Sequence, residues 1–288
     1  MKAPILVLGA GGQLGKEWKF YFDKNDVEAR YASSSDINIT NFDETARAFE
    51  IVKPKYVINC AAYTKVDQAE DEPEKAMLVN ADAVQNLARL CREYDATLVH
   101  YSTDYIFPGK IEDREKKPNG YDEEFPANPI NVYGETKFKG EQLLKQETDY
   151  YLIIRVAWLC GRFGNNFVKT MLRLGRERDE LSVVNDQFGA PSFAFNVVEN
   201  TIALLRQQKT GTWHIASSGI TNWYEFASLI FQEQNIDVRL KAVDSSGFPT
   251  KAKRPNYSKL SIKKLSELED SSIIKWTDGL KQLLRQLR

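Results

Sequence analysis

Short uninterrupted apolar runs alternate with amphipathic stretches along the first half of the chain. Ile5-Leu6-Val7-Leu8 and Tyr56-Val57-Ile58 show no polar alternation, the pattern of strands buried on both faces of a parallel sheet. Apolar runs bounded by turn residues predict strands at 5–8, 28–32, 56–59, 97–101 and 151–156. Between them, helical periodicity predicts helices at about 14–23, 43–53, 73–94 and 129–146. Strands alternating with helices imply right-handed βαβ crossovers and a doubly wound parallel sheet, an α/β fold with helices on both faces.

The pattern shifts after Val156. Residues 107–128 read as a polar loop containing Pro and Gly, long enough to be functional. Helices are predicted at 165–178, 195–207, 223–234 and 277–286, joined by turn-rich stretches such as 244–256. The length of 288 residues suits one large or two modest domains. Residues 158–288 read mainly as a smaller α/β lobe resting on 1–157, with some segments returning to the sheet.

Composition narrows the chemistry. Lys and Arg number 39 against 40 Asp and Glu, a net charge of −1, which argues against a nucleic-acid module held by a broad basic field. No apolar run approaches the ~18 residues a membrane span needs, and the amino terminus is too short in apolar residues for a secretory signal. A cytoplasmic protein is expected. There are two histidines, His100 and His214, and three cysteines, Cys60, Cys91 and Cys160. No CxxC pair and no HExxH helix occurs, so the usual zinc constellations are absent and no metal is expected. Catalysis must therefore rest on tyrosine, lysine, carboxylates and a bound cofactor.

The strand at 5–8 runs into Gly9-Ala10-Gly11-Gly12-Gln13-Leu14-Gly15 and then a helix. Gly9, Gly12 and Gly15 are spaced G-x-x-G-x-x-G, and Gly11 adds a further permissive position. Glycines there allow a tight turn and close approach of backbone to a pyrophosphate, and the helix N-terminus that Gln13 and Leu14 open favours the anion. Residues 1–157 are thus expected to form a dinucleotide-binding, Rossmann-like domain. At the end of the second strand the usual ribose-binding Asp or Glu is missing, and Ser33, Ser34 and Ser35 stand instead. Serines do not repel a 2′-phosphate, so NADPH is expected to be tolerated, with NADH also open. Asp36-Ile37 lies further on, either near the adenine edge or as a turn cap.

Tyr133 and Lys137 fall at i and i+4 on one helix face. A nearby ammonium favours tyrosinate and is expected to lower the phenol from ~10 toward neutrality, making Tyr133 a usable acid for a carbonyl oxygen. Two strand ends give this pair a context. Ser102-Thr103-Asp104-Tyr105 and Asn59-Cys60-Ala61-Ala62-Tyr63-Thr64 place polar and small residues at the carboxyl ends of parallel strands, where doubly wound sheets bind ligands.

This ordered set resembles the extended short-chain dehydrogenase/reductases and, within them, the dTDP-4-dehydrorhamnose reductases. The resemblance covers nearly the whole chain. It is carried by Gly12-Gln13-Leu14-Gly15, Asp36-Ile37-Asn38-Ile39-Thr40, the run from Asn59 to Asp67, Ala69-Glu70 and the run from Ser102 to Gly109. Arg155-Val156-Ala157-Trp158, the run from Asn185 to Pro191 and Arg254-Pro255 belong to it as well. The resemblance implies Tyr133 as catalytic acid, Lys137 as its partner and a holder of the nicotinamide ribose, and Thr103 as the third member. It implies cofactor contacts at Ala61, Ala62 and Tyr63 beside the glycine loop. Thr64, Val66, Asp104 and Trp158 would face the deoxysugar, and Arg254 would serve the nucleotide-sugar segment. Trp158 as a core residue and Arg254 as a surface charge are the alternatives.

Some positions depart from the family. Cys160 stands where relatives commonly carry Tyr, which implies a changed pocket there, and Ser192 stands where Thr is common. Some relatives dimerise through a magnesium ion held by carboxylates. Glu17 and Glu199 fall at two such places, but Phe195 replaces the third, so a homodimer here would lack that metal. Nucleotide-sugar dehydratases carry an acid after Thr-Asp, where this chain has Tyr105, and epimerases of the group commonly show Ser-Ser. A regulatory cofactor-holding subunit is the non-enzymatic alternative; the presence of both Tyr133 and Lys137 disfavours it.

Overall fold

The computed structural model describes residues 4–287. The chain begins β1 (Ile5–Leu8), α1 (Gln13–Lys24), β2 (Arg30–Ala32), α2 (Phe42–Val52) and β3 (Tyr56–Asn59). Next come α3 (Val66–Ala69), α4 (Pro73–Met77), α5 (Ala83–Glu93), β4 (Thr97–Thr103), α6 (Asp113–Lys116), α7 (Val132–Glu147) and β5 (Tyr151–Val156). The rest holds α8 (Phe167–Glu177), β6 (Glu180–Val184), β7 (Phe188–Gly189), α9 (Ala194–Arg206) and β8 (Gly211–His214). It ends with β9 (Thr221–Asn222), α10 (Trp223–Gln234), β10 (Arg239–Val243), α11 (Lys263–Ser266) and α12 (Trp276–Gln286).

Six parallel strands form the main sheet in the order β2-β1-β3-β4-β5-β8. Successive strand residues point to opposite faces, and each face is covered. Val7, Ile58, Val99 and Ile154 pack with Trp18 and Phe22 of α1 and Val197, Val198 and Ile202 of α9. Leu6, Leu8, Val57, Leu98 and Ile153 pack on the other side with Phe49 of α2 and Val84 and Leu87 of α5. Burial on both faces explains why β1 and β3 carry no polar alternation. A second core joins α8, α10 and α12 to the parallel pair β6–β10, and it includes Val168, Met171, Phe226, Ile230, Leu280 and Leu283. No helix among the described residues is long and apolar enough to cross a membrane.

Several element boundaries differ from the sequence expectation. Strand β2 starts at Arg30 because it is an edge strand, paired only with β1 over three residues. Strand β4 continues to Thr103, where Ser102 and Thr103 pair with Arg155 and Val156. Helix α7 begins three residues late, at Val132, because Asn131 caps it by accepting from the Gly134 N–H. The single helix expected over 73–94 is interrupted by a π-helical turn at Leu78–Asp82. That turn turns Asn80 inward, where its amide accepts from the Tyr63 N–H and donates to Tyr63 O and to Thr136 Oγ1 of α7. Residues 107–128 are largely exposed loop, as expected, but they include the short α6, and Tyr121 is fully buried, stacked on Phe107 and donating to Asp113. From the second half, α9 and β8 return to the main sheet.

The chain leaves β1 for β2 on one side and returns to pair β3 on the other. This places the topological switch point between β1 and β3, and open α/β sheets bind ligands outside their carboxyl ends at such a point.

Candidate active site

Two turns meet at that switch point. Gly9 follows β1 with a φ of +70°, in the left-handed region, and a methyl group there would overlap the Ala61 backbone beyond β3. The two turns can approach this closely only because that position is glycine. Gly12 caps α1 without a side-chain acceptor, and the first turn of α1 has no acidic residue. Its N–H groups are thereby open to an anion. Gly11 and Gly12 are exposed, while the Leu14 side chain lies in the core, so only its backbone faces the turn. The donor set fits a dinucleotide pyrophosphate.

Gln13 directs its side chain elsewhere. Its Nε2 donates to Leu159 O at 3.0 Å, and its Oε1 accepts from Asn166 Nδ2 at 2.7 Å. It ties the glycine turn to the start of the second half of the chain. At the β2 end, Asp36 accepts from the Ser33 N–H at 2.8 Å and from Ser33 Oγ at 2.6 Å, and these bonds hold its carboxyl below the usual range. Asp36 is therefore a turn cap, and it returns a carboxylate to a strand end where the sequence shows only serines. Ile37 is half-buried against the core beneath α2.

Tyr133 sits in the first turn of α7 with its ring edge-to-face on Tyr105, 5.7 Å between centroids. Burial pushes its phenol up to about 12; Thr103's hydroxyl pulls the other way, and Asp104's charge adds to the rise. The expected lowering by Lys137 does not occur. Lys137 Nζ donates to Tyr101 O at 2.6 Å and contacts His100 Nε2 at 3.1 Å. The i, i+4 spacing places both residues on one face, but a backbone carbonyl and an imidazole on β4 take the amine. Burial brings Lys137 down to about 8, with Glu141 opposing.

Thr103 ends β4 and Asp104 opens the turn that follows, and both are buried. Thr103 Oγ1 donates to Asp104 Oδ1 at 3.0 Å and accepts from the Tyr105 N–H. Burial raises the Asp104 carboxyl to about 7, while the nearby hydroxyls of Ser258 and Thr103 oppose that rise. Its Oδ2 is buried without a partner. Arg254 Nη2 donates to Asp67 Oδ2 at 2.7 Å, and Asp67 also accepts from the Ala252 N–H. Lys253 O accepts from the Asn131 cap of α7. The segment carrying Arg254 is thus bound both to α3, which Val66 opens, and to the start of α7. Arg254 Nη1 is buried and unpartnered. The charges of Asp104, Arg254 and Asp67 and the Tyr133 ring all bear on Tyr105, whose phenol burial pushes far up.

The structure thus brings together Tyr133, Thr103, Asp104 and Arg254 around Tyr105, while Val66 precedes Asp67 at the start of α3. Ala61, Ala62 and Tyr63 line the turn after β3, where Tyr63 OH donates to Glu72, and Thr64 is exposed beyond them. Trp158, stacked 3.8 Å on Trp223 with a φ of +49°, packs over Gly189, whose other near neighbour is Ser258, the hydroxyl that acts on Asp104. Cys160 is buried in the second core rather than in a pocket wall, and burial pushes its thiol up to about 12. Ser192 is also internal, donating to Ile215 O. Glu17 pairs with Arg162 at 3.1 Å, and no cluster of three His, Cys, Asp or Glu suited to a metal occurs among the described residues. A cavity of about 1060 Å³ lies near Pro4, Phe22, Tyr31 and Val52 and contains none of the candidate side chains. The sequence assigned no site role to Asn80, His100 or Asp67; Asp67 closes the run from Asn59, and Tyr105 entered only as the residue after Thr-Asp.

The RmlD substrate binding domain family matches residues 1–288. A dTDP-4-dehydrorhamnose reductase of Escherichia coli K12 is 38% identical over 98% of this chain and 97% of its own length. A dTDP-4-keto-6-deoxy-D-glucose reductase of Streptomyces niveus is 34% identical over 96% of this chain and 95% of its own. The crystal structure of a dTDP-4-dehydrorhamnose reductase from Bacillus anthracis in complex with NADP superposes with a TM-score of 0.94, at 37% identity, covering 99% of this chain and 100% of that one. The chain belongs to the dTDP-4-dehydrorhamnose reductases of the extended short-chain dehydrogenase/reductase family.

Proposed function

We propose that this protein reduces the C4 ketone of dTDP-4-dehydro-L-rhamnose to dTDP-L-rhamnose with NADPH or NADH. The observation that carries the proposal is the convergence of Tyr133, Thr103, Asp104 and Arg254 around Tyr105 at the carboxyl end of β4, in the same parallel sheet whose β1 ends in the glycine turn. Gly9, Gly11, Gly12, Gly15 and the N–H groups of Gln13 and Leu14 would hold the pyrophosphate, with Ser33, Asp36 and Ile37 toward the adenosine. Ala61, Ala62, Tyr63 and Lys137 would flank the nicotinamide ribose. A bound reduced nicotinamide supplies the hydride.

The protein's part is proton delivery and electrostatic orientation. With its phenol raised to about 12, Tyr133 keeps its proton at neutral pH and can pass it to an alkoxide developing at C4. Thr103's hydroxyl would turn from Asp104 Oδ1 to the phenolate left behind and stabilise it. Asp104 Oδ2 and Arg254 Nη1, both without partners, are suited to a sugar hydroxyl and to an anionic group of the nucleotide. Thr64, Val66 and Trp158 complete the substrate side, within a lobe formed mainly by residues 158–288. A cytoplasmic homodimer without a bridging metal is the proposed setting.

A substrate panel of dTDP- and other nucleotide-linked 4-keto-6-deoxy sugars, followed by loss of reduced-nicotinamide absorbance, tests the assignment. Turnover should be greatest on dTDP-4-dehydro-L-rhamnose. Tyr133→Phe should lose about 10²–10⁴-fold in kcat with cofactor affinity nearly unchanged. Equal kcat/KM on a sugar with another nucleotide would overturn the substrate assignment, and wild-type turnover in the variant would remove Tyr133 from the chemistry.

A further inference from the structure

His100 is a buried titratable group that the reductase reading leaves unused. It lies within β4, fully buried, between the side chains of Asn59 and Lys137, which are buried too. Both ring nitrogens are engaged: Nδ1 is 3.2 Å from Asn59 Nδ2, and Nε2 is 3.1 Å from Lys137 Nζ. The direction of each bond follows from the ends of the chain of contacts. The Ala61 N–H donates to Asn59 Oδ1 at 3.1 Å, so Asn59 must present its NH₂ to the ring. Turning the amide over would set NH₂ against that N–H. A donor facing Nδ1 makes Nδ1 the acceptor, so the proton of the neutral imidazole sits on Nε2, directed at Lys137. On its far side Lys137 donates to Tyr101 O.

Every donor from Ala61 through Asn59 and His100 to Lys137 therefore finds an acceptor while the lysine nitrogen keeps a lone pair. An ammonium would set two donors against each other inside a buried site, where such a conflict is costly. We propose that His100 is a positioning residue that governs the charge of Lys137, because Asn59 fixes the imidazole tautomer whose N–H faces the amine. The consequence for catalysis rests on the reading of Lys137 as the partner of Tyr133. The ammonium is the form that stabilises a Tyr133 phenolate, so activity should fall on the basic side where Lys137 loses its proton.

The groups around Lys137 are few. From β4 comes His100, itself held neutral chiefly by burial. On its own helix Glu141 favours the ammonium, and from β5 Arg155 is engaged with that carboxylate. The π turn before α5 presents the neutral Asn80, while Asp104 bears on Tyr133 and Tyr105. The Tyr101 hydroxyl is turned away, to Trp18 and Thr201.

The test follows Lys137 directly, by titrating lysine ε-carbons with ¹³C NMR and assigning its signal with Lys137→Arg. The pH profile of kcat/KM is recorded in parallel. His100→Gln offers the amine a carbonyl acceptor and should move both the titration and the basic limb up by about one pH unit. Asn59→Asp is nearly isosteric and reverses the relay: its carboxylate accepts from both the Ala61 N–H and Nδ1–H, leaving Nε2 as an acceptor for the ammonium. It should shift Lys137 upward as well, and the shift should largely vanish when His100 is also Gln. An unmoved titration in folded single variants, or an Asn59→Asp shift that persists in full without His100, would overturn the proposal. The NMR titration needs no sugar, so a failed reductase assay would count against the substrate reading and not against this relay.

Discussion

The buried pair Arg155–Glu141 should be the most costly single charge to remove from this protein. Glu141 faces β5 one turn beyond Lys137 and takes Arg155 in a fork, Nε to Oε1 at 3.0 Å and Nη2 to Oε2 at 2.7 Å. The side chains are 4% and 0% exposed. Arg155 Nη1 also donates to Glu123 O, and its guanidinium stands 5.4 Å from the Phe107 ring centre. Glu141→Ala strips two charge-assisted bonds and strands a guanidinium where water does not reach. Breaking one partner of such a pair costs about 3–5 kcal/mol, and two hydrogen bonds to a charged group at ~1.5–3 kcal/mol each agree with that range. With an unfolding entropy of roughly 0.6 kcal/mol/K for a chain of this length, Tm should fall by about 5–8 °C.

Scanning calorimetry and urea unfolding would measure the loss. The double variant Glu141→Leu with Arg155→Met removes both charges and should recover most of it, because the penalty lies in the uncompensated ion more than in the missing attraction. A Glu141→Ala variant within ~1 kcal/mol of the parent would refute the burial argument. So would a double variant whose loss equals the sum of the two single losses, since contacting residues of one pair should not behave additively.

Two further outcomes follow from the geometry. Asp36→Asn keeps the turn's hydrogen-bond acceptor and removes a negative charge from the end of β2, so the kcat/KM ratio of NADPH to NADH should rise about tenfold; an unchanged ratio in steady-state assays would mean that the carboxylate does not face the 2′ position. Gly140→Ala drives a methyl group into the Asn80 carbonyl of the π turn and should cost about 1–3 kcal/mol in urea unfolding, and a neutral result would mean that α7 and that turn can separate freely.

What the sequence showed and what it hid divide along a physical line. Strands β1 and β3 were legible because burial on both faces leaves an unbroken apolar run in four residues. The glycine turn was legible because its constraint is local, a positive φ beside a close approach. Strand β8 was missed: Gly211-Thr212-Trp213-His214 is no apolar run, and it joins the sheet only because β5 offers it an edge. The two strands of the small parallel pair were missed for a related reason, since β6 alternates and β10 is largely exposed. The π turn hid inside a continuous helical pattern, because its cause, the Asn80 amide, reaches Tyr63 and Thr136, 17 and 56 residues away. The same distinction governs the site. Identity and spacing placed Tyr133 and Lys137 on one face, yet the direction of the lysine was set by Tyr101 O and His100, acceptors that no spacing rule contains. Asp36, too, was read as following the serines, whereas its turn folds the carboxylate back onto the first of them. Reaction class is written in residue types and so survives in one dimension. Protonation state depends on which donor meets which acceptor across the sheet, and here both the acid and its neighbouring amine owe theirs to strands far away in the chain.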